Sequence, residues 1–123
     1  MAVKIYCASK TKHAQMWKDF RSLGSNIIST WIDEAGKGET KDMADLCNRC
    51  INECKECDAL IVYAEPGDYL KGAFIEMGVV IGNLLQQIYL VGEVLPKGST
   101  FTHASNVHIA TDIYAALRMI DKL

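Results

Sequence analysis

The chain has 123 residues, half of them hydrophobic, with five cysteines and a formal net charge of −2. That is one domain's length, expected to span 1–123, with enough apolar residue for a packed core. The charge excludes the basic excess of a nucleic-acid binder, and no run approaches the roughly 18 apolar residues that a membrane helix needs.

The opening MAVKIYCASK has neither the apolar run nor the cleavage site of a secretory signal. A cytoplasmic setting is therefore expected, with the cysteines as thiols; their odd number fits. Val3 to Ala8 reads as a short apolar strand. Thr11 to Leu23 reads as a helix, with Ala14, Trp17, Phe20 and Leu23 at helical spacing and Gly24 ending it. Asn26 to Thr30 is a second expected strand, followed by a polar, glycine-bearing loop and a helix from about Lys41 to Glu56. Ala59 to Tyr63 is a third, wholly apolar strand; EPGDYL is a turn; Lys71 to Leu85 is a strongly apolar helix. Gln87 to Val91 and Val107 to Ala110 complete the strands, and Thr111 is expected to cap a last helix running to about Asp121.

Strands apolar on both faces, alternating with helices, indicate a parallel sheet covered on both sides. The expectation is an α/β, flavodoxin-like, doubly wound sheet of five parallel strands in the order 2-1-3-4-5. Ligands of such sheets bind beyond the carboxyl ends of the strands. No Gly-x-Gly-x-x-Gly follows the first strand, and GKGETK lacks the Gly-Lys-Ser/Thr ending of a phosphate loop.

Four cysteines fall in CNRCINECKEC, at 47, 50, 54 and 57. With Met43, Leu46 and Ile51 they form one stripe at three- and four-residue steps, while the charged residues cover the remaining faces. On a helix the outer pair stands about 15 Å apart along the axis, too far for four sulfurs to share one ion at about 2.3 Å. A buried helix stripe is the favoured reading; a metal site and a redox pair such as Cys47 with Cys50 are the alternatives.

In GAFIEMGVVIG a single charged residue, Glu76, sits among apolar neighbours about one turn into the expected helix. Such a carboxylate loses solvation unless something uses it, and the helix start favours its anion. Gly72 and Gly78 leave room for a backbone or a ligand. A buried carboxylate can attack an electrophilic carbon. The competing reading is a glutamate at a helix boundary that faces water.

KIYCAS, CDALIVYAE, GAFIEMGVVIG and QIYLVG together resemble the nucleoside 2-deoxyribosyltransferases and the related nucleotide N-glycoside hydrolases. The resemblance runs over nearly the whole chain in element order and implies the fold expected above. It implies Glu76 as the nucleophile at the anomeric carbon of a 2-deoxyribonucleoside or its monophosphate. Tyr6 would orient the glutamate, and Asp68 would hold or protonate the leaving base. Ser9, Trp31, Gly72 and His103 would contact substrate, Ser9 at the sugar or a 5′-phosphate and Trp31 by stacking. Bland alternatives stand beside each: a core tyrosine, a turn aspartate, a helix-capping serine, a packing tryptophan, a loop histidine. The resemblance further implies a small-molecule nucleoside or nucleotide substrate, no cofactor, no nucleic-acid polymer and no membrane. It implies a homo-oligomer with shared active sites, completed from residues such as Thr102, His103 or Asn106. Where the family carries an acid eight residues before Asp58, this chain has Cys50, and the nearest aspartate is Asp45. Asp68 is also out of the family's usual register with the glutamate. A nucleotide-binding module without chemistry, or a glycohydrolase of another N-glycoside, is the alternative reading.

Overall fold

The structure, a computed structural model, describes residues 2–36, 42–96 and 98–123. The loop GKGETK and the expected helix start at Lys41 fall largely or wholly outside the described residues. Strands β1 (Ile5–Ala8), β2 (Ala59–Ala64), β3 (Gln87–Gly92) and β4 (Val107–Ala110) form one sheet in that order, all pairs parallel. The helices are α1 (Ala14–Ser22), entered through a 3-10 turn at Thr11–His13, α2 (Trp31–Glu34), α3 (Met43–Glu56), α4 (Gly72–Ile81) and α5 (Ile113–Ile120). A further 3-10 turn covers Thr100–His103. Among the described residues no helix is long and apolar enough to cross a membrane.

Alternation along the strands builds two apolar layers. Tyr6, Ala8, Leu60, Val62, Ile88 and Leu90 pack against Cys54 and Cys57 of the α3 end and Ala73, Met77 and Val80 of α4. Ile5, Cys7, Ile61, Tyr89 and Val91 pack on the other side against Ala14 and Trp17 of α1 and Ile113, Ala116 and Ile120 of α5. The helix after β1 therefore covers one face and the helix after β2 the other. The gap between the carboxyl ends of β1 and β2 is the point where the crossovers part.

The expected five-stranded sheet is corrected to four strands. The segment expected as strand two makes a single parallel bridge, Ile5 with Ile27, on the outer side of β1. The ladder begins with Ile5 N donating to the Asn26 carbonyl and Ile28 N donating to that of Ile5. It stops because the next donor, Cys7 N, is taken by the Ser29 hydroxyl at 2.7 Å rather than by a backbone carbonyl. Hydrophobicity pointed to a strand, but a side-chain acceptor displaced the ladder. The α4 helix ends four residues earlier than expected, and Asp112 rather than Thr111 caps α5, accepting from Ala115 N at 2.7 Å. Gly92 closes β3 at φ +83°, where a Cβ would collide with the Ala64 carbonyl oxygen, so the carboxyl ends of β2 and β3 fit only around glycine.

Candidate active site

Glu76 lies just over one turn into α4, on the side facing β1. Tyr6, in the middle of β1, is 0 % exposed and donates its hydroxyl to Glu76 Oε2. The buried Cys54 thiol of α3 approaches the same oxygen at 4.0 Å. Both contacts fall on Oε2, and Oε1 has no protein donor among the described residues. Burial pushes the Glu76 carboxyl up to about 7; the Tyr6 hydrogen bond opposes this and nearby Glu53 adds to it. Burial, then the Glu76 charge, then Cys50 raise Tyr6, which stays a neutral phenol and a standing donor.

Glu76 opens onto a cleft of about 340 Å³ beyond the carboxyl ends of β1 and β2. That is within the range of small-molecule sites. Ser9, Trp31 and Gly72 line it with Glu76, so four of the expected site residues meet there, and Lys10 and Lys71 join them. Other clefts among the described residues are larger, of about 420, 490 and 580 Å³, but none of these three contains Glu76. The Ser9 hydroxyl is already engaged: it donates to the Lys10 carbonyl at 3.0 Å and accepts the Trp17 indole N–H at 2.9 Å. What it can offer a ligand is a lone pair. The Trp31 indole donates to the Cys7 carbonyl at 2.8 Å, which holds the ring at the cleft wall. Its neighbour Thr30 is clamped to α3, its N–H and hydroxyl reaching Glu53 at 3.1 and 2.8 Å and its hydroxyl accepting from Arg49 at 2.8 Å. The polar face of α3 thus holds the segment that carries Trp31, a role its charge pattern did not disclose.

Asp68 and His103 stand apart from this cleft. Asp68 is almost fully buried, 2 % exposed at its side chain, with Oδ1 on Lys12 at 2.8 Å. Its Oδ2 meets His13 at 2.9 Å and accepts from Glu65 N at 3.0 Å. Lys12 and then His13 hold its carboxyl well below the usual range. These contacts tie the turn before α4 to the turn after β1. His103 is exposed in the 3-10 turn before β4. Asn106 is 1 % exposed, and its amide donates to the carbonyls of Ile81, Asn83 and Gln86 at 3.3, 3.3 and 3.1 Å. A side chain committed inward in this way cannot complete a neighbouring subunit's site.

The cysteine segment is helical, as its period required. Cys47 is exposed, Cys50 half-buried, and Cys54 and Cys57 buried. Burial raises Cys50 and, with the Glu76 charge, Cys54; burial and Asp58 push Cys57 up to about 11. These three remain thiols near neutrality, which is unfavourable for redox nucleophiles. Cys50 stands close enough to Tyr6 and Glu76 for each to influence its thiol. The position where the resembled family would carry an acid therefore does face the Tyr6–Glu76 pair, but with a thiol. Among the described residues, the ligand atoms of His13, Glu65 and Asp68 lie within 4.8 Å of one another. A metal there would have to compete with the Lys12 ammonium already on Asp68.

No protein-family model matches the chain, and no curated protein sequence does. Solved structures do. A CMP N-glycosidase of Clostridium botulinum, BcmB, superposes with a TM-score of 0.59 at 18 % identity, over 98 % of this chain and 99 % of that one. A 2-desoxiribosyltransferase of Leishmania mexicana superposes with a TM-score of 0.65 at 14 % identity, over 97 % of each chain. The chain shares their fold. On this fold the Glu76 cleft occupies the edge where ligands of doubly wound sheets bind, at the parting of the crossovers between β1 and β2.

Proposed function

We propose that the chain cleaves or transfers the N-glycosidic bond of a 2-deoxyribonucleoside or its monophosphate, with Glu76 as the nucleophile. The observation that carries this is that Glu76 lines the cleft with one carboxylate oxygen held by the buried Tyr6 hydroxyl and the other without a protein donor among the described residues. Oε1 attacks the anomeric carbon as the bond to the base breaks. The bonding pair leaves with the base, which takes up a proton from water, and a glycosyl ester remains on Glu76. Water or a second base then attacks the same carbon from the opposite face and releases the carboxylate, so configuration is retained over two displacements. Two proteins of the same fold are named for deoxyribosyl transfer and for N-glycoside cleavage, which supports the reading.

One observation favours a second reading, a nucleotide-binding module without turnover: the thiol of Cys50 in place of an acid beside the Tyr6–Glu76 pair. Incubation with a panel of deoxynucleosides and their monophosphates, with and without a free acceptor base, separates the two. Chromatography should show released or exchanged base, lost in Glu76→Gln. Mass spectrometry of the acid-quenched protein should show a sugar adduct on Glu76. Ligand binding with no turnover across the panel would leave the binding module. A cytoplasmic location suits five free thiols. The homo-oligomer implied by the resemblance is supported by an apolar groove beside α4, lined by Phe74, Met77 and Phe101, and is tested by sedimentation.

A further inference from the structure

A second carboxylate, Glu53, stands behind the Glu76 cleft and has no task in the proposed displacement. It is half-buried in the last turn of α3, beside Cys54, whose thiol approaches Glu76. Glu53 Oε1 accepts from Thr30 N at 3.1 Å, and its Oε2 accepts from the Thr30 hydroxyl at 2.8 Å. Thr30 immediately precedes Trp31, which lines the cleft with Glu76. The α2 helix has only four residues, too few to hold itself by helix propagation. Its place depends on side chains: Glu53 and Arg49 on Thr30, Arg49 on Glu34, Arg21 on Asp33, and the Trp31 indole on the Cys7 carbonyl. Arg49, one turn before Glu53, is committed to Asp45, Glu34 and the Thr30 hydroxyl. Among the described residues Glu53 therefore carries its charge without an ion pair.

We propose that Glu53 is a positioning residue of the Glu76 cleft: one carboxylate both clamps the segment that carries Trp31 and sets a like charge against Glu76. The inference deepens the proposed function and rests on the same cleft. The titratable and charged groups facing Glu76 are Tyr6 from β1, and Cys50, Glu53 and Cys54 from α3. Lys10, past the end of β1, and Lys71, before α4, line the cleft with it. Glu53 is the one other carboxylate in this set. A like charge disfavours the Glu76 anion, so Glu53 acts with burial and against the Tyr6 hydrogen bond. A carboxylate held in this way bonds more readily to an electron-poor carbon. The clamp on α2 and the charge on the nucleophile thus come from one side chain.

Two substitutions separate the two tasks. Glu53→Gln keeps the shape and an acceptor for Thr30 but removes the charge. Thr30→Val removes the hydroxyl bond and leaves the charge. Glu76 is followed by carbon NMR of isotope-labelled glutamate carboxyls, its signal assigned by its loss in Glu76→Gln. Trp31 is followed by fluorine NMR of fluorotryptophan-labelled protein, assigned by Trp31→Phe. In Glu53→Gln the Glu76 midpoint should fall from about 7 by roughly half a unit, the scale of a like charge several ångströms away at a half-buried site. In Thr30→Val that midpoint should stay, while the Trp31 resonance shifts or broadens and the Trp17 resonance does not. Glu53→Ala should show both changes, and circular dichroism verifies that each variant is folded. An unmoved midpoint in Glu53→Gln, an equal shift in Thr30→Val, or a Trp31 resonance indifferent to Thr30→Val and Glu53→Ala overturns the proposal. Neither readout needs turnover. Base release by a wild-type protein whose variants show none of these changes would sink this proposal and leave the catalytic reading. All of the changes in a protein that never releases base would do the reverse.

Discussion

At the residue scale the centre of the molecule is one carboxyl in a poorly solvated place. Glu76 was legible in the sequence because it interrupts an otherwise apolar helix, and such an interruption requires a reason. Tyr6 was legible only through the resemblance, since alternation alone makes it a core residue. The pH dependence follows from burial. Glu76 ionises near 7 in the folded chain against about 4.5 ordinarily, so the folded state holds the proton more tightly. Stability should fall as pH rises from about 4.5 through 7, while base release, which needs the anion, should rise through the same upper value. Urea unfolding and initial rates across that range check both; in Glu76→Gln the rate is lost and this part of the stability slope disappears. Tyr6→Phe removes the donor that favours the anion. It should move the midpoint of the rate profile upward by about one unit or more, the scale of a hydrogen bond to a charged group. A profile that keeps its midpoint in Tyr6→Phe would show that the hydroxyl does not tune Glu76.

At the element scale, the four strands and the longer helices had a pattern that could be read, but the contacts that aim the elements could not. The cysteine stripe is an example: its spacing gave the helix, and only the packed α3 shows Cys50 and Cys54 turned toward Tyr6 and Glu76. The α2 helix went unseen because four residues carry too little periodicity, and it depends on Thr30 and Arg49 rather than on propensity. Asp68 was expected to hold or protonate the leaving base, with a turn aspartate as the alternative; its contacts with Lys12, His13 and Glu65 N fasten the turn leading into α4. Asp68→Asn keeps the shape and weakens the bonds to Lys12 and His13. The expected result is a loosened turn at residues 65–71, seen as faster amide exchange there. KM should rise several-fold with a smaller change in kcat, because Glu76 itself is held by Tyr6. A loss of kcat at unchanged KM would instead return Asp68 to the chemistry.

At the scale of the whole molecule, the layered α/β plan was legible because apolar strands and amphipathic helices alternate. What escaped was long-range polar closure, which has no period in the sequence. Ser29 ends the outer ladder of β1 with a hydroxyl, and so turns an expected strand into a bridge. At the amino ends of the strands, Gln86 donates to the carbonyls of Cys54 and Cys57, both at 2.7 Å, joining the end of α3 to the start of β3. Asn106 does the same between the end of α4 and the start of β4. Its amide answers carbonyls that the stop of α4 at Ile81 leaves without helical partners. Asn106→Ala should therefore expose several unmet acceptors in the interior and lower stability by roughly 2–4 kcal/mol, measured by urea unfolding. The cost arises at the end of the sheet opposite the cleft. The folded fraction should thus keep its nucleotide affinity while the midpoint of unfolding falls. If affinity collapsed in protein still folded by circular dichroism, the two ends of the sheet would be coupled through α4, whose first half carries Glu76 and whose last turn Asn106 secures.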